Sequence, residues 1–206
     1  MRHSLTLPLF AVAMSIGLTA CGKAPESATA ATESPVRISA SIQEVMNSLV
    51  DPAADGIWDT FSTTVSKSGV EIKQPANEEE WTTVRHQAIT LVEASNLLVL
   101  DGRKVAHEGK KLDDTGTPGL LSSEEIGKAI AADRAGFVSA AHRLQDAGLA
   151  VLAAIDARKP EAVVEAGGKI DGACEACHVK FWYPNAQAPK PERFPHSAAV
   201  AIGVKP

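Results

Sequence analysis

Residues 160–184 read PEAVVEAGGKIDGACEACHVKFWYP. Within them Val163, Gly167, Ile170, Cys174, Cys177 and Phe181 recur at spacings of four, three, four, three and four, the period of one helix face. Pro160 suits a first helical turn, where a missing N–H costs nothing, and Pro184 closes the run. Two thiols and an imidazole therefore ride on one helix that faces inward. At about 100° per residue, Cys174, Cys177 and His178 project within about a 100° sector, so a single flat object can meet all three. Gly167 and Gly168 weaken this helix by about 1 kcal/mol each relative to Ala, which packing or a bound group must offset.

Three further segments carry a helical period. In the first, Ile38, Ile42, Val45, Met46, Leu49 and Val50 form the stripe. Pro52 is expected to interrupt or kink it, with Asp51 capping a restart through PAADGIWDTF. The stretch STTVSKSGVEIKQPA (62–76) reads as irregular. The second segment opens at Asn77 with Glu80 three residues on, the pattern of a capping box, and presents Trp81, Val84, Ala88, Leu91, Ser95 and Leu98 on one face before ending ahead of Gly102. Residues 102–121, with four glycines and one proline, read as a long surface connection. The third segment begins at Ser122 with Glu125 as capping partner. Its stripe of Ile126, Ile130, Phe137, Ala141, Leu144, Val151 and Ile155 predicts one continuous helix of over thirty residues.

The 206-residue chain suffices for one domain of ordinary size. Apolar residues make up 45% but aromatics only 4%, so the core is built of Ala, Val, Leu and Ile, which favours closely packed helices. Four amphipathic helices most simply make an all-α antiparallel four-helix bundle with ligands held between facing helices. A net charge of −5, with Lys and Arg scattered, gives nucleic acid nothing to bind. No arrangement of nucleophile, base and oxyanion donors is visible, so nothing argues for an enzyme. There is no internal repeat.

The two ends differ from this domain, which is expected to span residues 37–183. MRHSLTLPLFAVAMSIGLTAC (1–21) has a basic start at Arg2, a short apolar stretch and small residues before Cys21, the anatomy of a secretory signal over residues 1–20. The apolar stretch falls short of the roughly 20 residues a membrane span demands. LTAC also resembles the bacterial lipobox, which makes Cys21 the lipidated first residue of the mature chain; ordinary signal cleavage beside an incidental cysteine is the alternative. Residues 21–36 then read as a lipid anchor and a flexible tether rich in Ala, Ser, Thr and Pro. Residues 184–206 read as a Pro-rich irregular tail. These features predict a periplasmic, lipid-anchored protein, and Gly22, where many inner-membrane lipoproteins carry aspartate, points to the outer membrane.

CxxCH at 174–178 is the attachment pattern of c-type haem: two thiols become thioethers and the adjacent imidazole binds iron. At this chain's own frequencies, 3 Cys and 6 His in 206 residues, the pattern arises by chance on the order of once in a thousand such chains. A thioredoxin-like CxxC would need a βαβ context, and a structural zinc would need a fourth ligand, with no other His close in sequence until His196. Export suits the haem reading, because bacteria attach haem c in the periplasm. With Cys21 given to lipid, Cys174 and Cys177 are the remaining thiols, so none is left for a disulfide.

On these residues the chain resembles the cytochrome c′ family and its low-spin relatives, the cytochromes c556. The resemblance runs from about Val36 to Tyr183, and it implies a four-helix bundle with one covalent haem c hung from the last helix. It implies that Cys174 and Cys177 are the thioether residues, His178 the proximal iron ligand and Phe181 an aromatic packed on the haem. It sets the first helix across the opposite haem face, where Met46 stands at the position of a blocking residue or a ligating methionine. Ile42 and Trp182 stand where family members often carry arginine and a basic residue. Related bundles often dimerise.

The sixth iron position decides between functions. Met46, the methionine that remains once the signal is removed, sits on an apolar stripe, and a thioether there gives a His/Met iron suited to electron transfer with partner proteins. If Met46 is only a core residue, the iron is five-coordinate and binds NO or CO. An imidazole from His86, His107 or His142 is a third possibility, and a non-haem structural lipoprotein a further one. Trp58, Trp81 and Trp182 read as core or haem packing, and Glu78, Glu79 and Glu80 as offsets to a helix dipole.

Overall fold

Ser41 accepts a hydrogen bond from the Glu44 N–H while the Glu44 carboxylate returns to the Ser41 N–H, and this capping box starts the first helix of the structure. The structure is a computed structural model and describes residues 36–185. The signal, Cys21, nearly all of the tether and the tail from residue 186 lie outside the described residues. Helix α1 (Ile42–Val45) runs into a π-helical turn, Met46–Val50, and then into α2 (Asp51–Thr60). The stripe extended the helix too far back: Ile38 is exposed and precedes the cap.

Pro52 does not break the chain's course. It lies in the first turn of α2, and the wide turn ahead of it carries the backbone through, the Asp51 N–H reaching back to the Met46 carbonyl. Asp51 is not a cap. It lies inside α2, whose N-cap is Val50 with no side-chain bond.

Residues 62–76 are not irregular throughout. β1 (Ser62–Ser66) and β2 (Gly69–Lys73) form an antiparallel hairpin with Ser66 opposite Gly69 and Val70 opposite Val65. Gly69 has φ of 132°, open to glycine at no steric cost, which lets a two-residue turn close the pair. All of β2 is exposed, so no buried face marks the strand in sequence.

Helix α3 (Glu78–Leu98) is capped at Asn77, whose side chain accepts from the Glu80 N–H at 2.9 Å. Its stripe Val84, Ala88, Leu91, Ser95 and Leu98 is buried as expected, and Trp81 is half-buried against Phe61. Residues 100–121 carry no helix or strand. The expected long third helix is two: α4 (Ser123–Ala132) and α5 (Arg134–Asp156). Asp133 breaks it, with φ −134° and ψ 62°, because it ends α4 and at the same time caps α5 through a bond from the Gly136 N–H at 2.9 Å. The apolar stripe continues across the break, and every residue named in it is buried.

Helix α6 (Pro160–Phe181) packs mainly along α5, and α5 also packs on α3. Gly148 permits the second approach, since a Cβ there would sit 3.0 Å from Val92 Cγ2. The described residues are mostly helical around one apolar core. No helix among them is long and apolar enough to cross a membrane.

Candidate functional site

Four attachments fix α6, which carries both thiols. Near its middle, Trp58 Nε1 of α2 donates to the Gly167 carbonyl at 3.3 Å, and the missing side chain of Gly167 admits the indole edge. Near its end, Phe181 meets Phe137 of α5 edge-to-face at 5.4 Å, both almost fully buried. Lys180 pairs with Asp133 at 2.5 Å across the start of α5, where a Cβ on Gly136 would collide with both groups. Past the helix end, the Leu121 N–H donates to the Trp182 carbonyl at 2.8 Å. The last turn of α6 is thereby held at both ends against rotation.

The last two turns of α6 form one wall of an apolar cleft whose space, ≈ 400 Å³, includes some open to solvent. Cys174, Cys177 and His178 line it from α6, Met46 from the π-helical turn, and Phe137 and Leu144 from α5. Four of the residues singled out in sequence thus meet in one cleft. Phe181 is a core residue behind it, touching Phe137, which does line the cleft. His86 and His142 are exposed, His107 bonds to Glu44 at 2.7 Å, and none of the three lines the cleft. Cys21 lies outside the described residues. Trp182, one of the three tryptophans expected to serve core or haem packing, lines the cleft, its ring centroid 5.8 Å from that of His178, and Tyr183 flanks the same imidazole at 6.0 Å.

Burial sets the protonation of these groups. It pushes the Cys174 thiol up to about 12 and the Cys177 thiol up to about 11, so both are neutral thiols at ordinary pH. Burial also lowers the His178 imidazole below its usual value, against the pull of the Asp51, Glu175 and Asp114 carboxylates. A neutral imidazole is the form that binds a metal. The Tyr183 phenol, desolvated and donating to Glu175 at 3.2 Å, stays protonated.

Among the described residues no three His, Cys, Asp or Glu side chains are grouped to hold a metal ion. The two thiols and the imidazole share a cleft wall without converging on a point. That disposition suits an extended apolar plane carrying its own metal, and the donor set fits a haem: thiols for two covalent links, a neutral nitrogen for iron, and a thioether on another wall. No family model matches the chain, and no curated protein or solved structure does either.

Proposed function

We propose that the chain is a c-type cytochrome that transfers electrons through one covalent haem in a cytochrome c′-like antiparallel four-helix bundle. In that bundle α1 with α2, then α3, then α4 with α5, and finally α6 are the four helices. The observation that carries the reading is the apolar cleft lined jointly by Met46, Cys174, Cys177 and His178. Bound there, the haem supplies a one-electron iron couple whose potential a thioether ligand raises.

The chain's own residues have definite tasks. Cys174 and Cys177 anchor the ring edge as thioethers, which lets His178 meet the iron with little ordering cost. His178 would bind the iron through its neutral imidazole, held in place by the stapled last turn of α6, and Met46, presented by the π-helical turn, would offer its thioether to the same iron. Phe137, Leu144 and Trp182 keep water from the ring, and Phe181 supports Phe137 from behind. Attachment of haem c requires export, which the leader ending before Cys21 provides, and lipid on Cys21 then ties the domain to the outer membrane, where it meets redox partner proteins.

Absorption spectra of the matured protein, oxidised and reduced, with and without CO, test the ligand set. The His/Met reading requires a sharp low-spin α band that CO leaves unchanged, and a Met46→Ala variant that binds CO. A high-spin reduced spectrum in the wild type, shifting with CO, overturns Met46 ligation and makes the protein a five-coordinate binder of NO or CO.

A further inference from the structure

Beside the cleft lies a second hollow of ≈ 440 Å³, likewise partly open to solvent. Ile42, Leu98 and Phe137 line both. The two spaces differ in charge. Among the described residues the cleft is lined by no Lys, Arg, Asp or Glu, whereas the annex is lined by Arg103, Arg134 and Asp101. Arg103 donates from Nε to the Leu97 carbonyl at 2.7 Å and from Nη1 to the Ala40 carbonyl. Arg134 donates from Nη2 to the Val99 carbonyl and to Asp101 at 2.9 Å. Both guanidiniums close off the end of α3, and both keep donors beyond those bonds. One carboxylate against two guanidiniums leaves the annex positive.

We infer that Arg103 and Arg134 receive the two carboxylates of the tetrapyrrole held in the cleft, an inference that rests on the haem reading above. The chemistry of the ring directs it. The vinyl groups that react with thiols and the two propionate side chains sit on opposite halves of the macrocycle. Cys174 and Cys177 line the cleft and not the annex. Thioether formation at α6 therefore turns the acid edge away from α6, and beyond the shared lining of Ile42, Leu98 and Phe137 the annex offers these two cations. A guanidinium suits the role because its planar fork binds a carboxylate through two parallel bonds and keeps its charge when partly desolvated. Arg103 is desolvated in this way, since burial lowers its guanidinium below the usual value.

The test uses the matured, haem-loaded protein and reads the propionate bending bands in resonance Raman spectra. Intact mass is measured first, so that a chain without haem counts against the haem reading and not against this one. Arg103→Gln with Arg134→Gln is expected to shift those bands, while Arg85→Gln, which breaks a pair with Asp156 elsewhere on α3, leaves them in place. Unchanged bands in the double variant overturn the inference and leave the carboxylates to solvent. Should the double variant fail to fold, Arg103→Lys and Arg134→Lys, each still able to bond a carbonyl at the end of α3, are read in the same way: a shift supports the assignment and its absence overturns it.

Discussion

Gly167 and Gly168 are adjacent, interior to the same helix and chemically identical, yet replacing each by Ala has different consequences. In a helix interior Ala is favoured over Gly by about 1 kcal/mol. A Cβ at Gly168 meets nothing within 4 Å, and the residue is exposed, so Gly168→Ala keeps the whole gain. At Gly167 the same Cβ lies 3.3 Å from Trp58 Nε1 and 3.4 Å from Cδ1, tight enough to push the indole back. The displaced indole loses its bond to the Gly167 carbonyl, now 3.3 Å long, at a cost of about 1 kcal/mol. Gain and loss cancel, and the two variants should differ by about 1 kcal/mol, roughly fivefold in the folding equilibrium. Urea unfolding with an unchanged slope measures this directly, and thermal unfolding should separate the variants by about 2–4 °C. Equal stabilisation at both positions would refute the packing of Trp58 on α6.

Phe137→Ala removes a ring that is 2% exposed and packs on Phe181, and it should cost about 3–5 kcal/mol, seen as a lower urea midpoint; a loss under about 1 kcal/mol would contradict that core. In the folded haem-free chain at pH 8, alkylation should run on the order of a hundredfold slower at Cys177 and a thousandfold slower at Cys174 than in urea, rising about tenfold per pH unit, because their thiols are raised from 9.0 to about 11 and about 12. Equal rates in folded and unfolded chains would show the thiols to be solvated. Lys180 and the Gly136 N–H hold the Asp133 carboxyl below its ordinary value of 3.8, so their stabilisation is present above that value and lost as pH falls through the lowered native one. The stability gap between wild type and Lys180→Met should therefore be present at pH 6 and begin to close only below about pH 4, and a gap independent of pH would rule out the ion pair as its source.

The helices were legible where an apolar stripe and a cap coincide. Asn77 with Glu80, Ser122 with Glu125, and Pro160 each stand where a helix begins. Ser41 with Glu44 carried the same signal, but Ile38 extended the stripe past it. Asp133 with Gly136 was overlooked because the stripe runs through the break: a helix can stop and restart without losing its buried face. The hairpin escaped because its second strand buries nothing. In the candidate site, the CxxCH spacing identified the α6 contribution, and Met46 followed from the resemblance. Trp182 directly follows α6, whereas Phe137 and Leu144 of α5 and the arginines of the annex are distant from it in sequence, and their meeting depends on packing that no local pattern encodes.

The account is tested most directly by intact-mass and peptide mass spectrometry of the protein matured in a host equipped for haem ligation. It predicts one haem per chain, carried by the peptide that contains Cys174 and Cys177. A chain of polypeptide mass alone, with both thiols free to alkylate after denaturation, would contradict it.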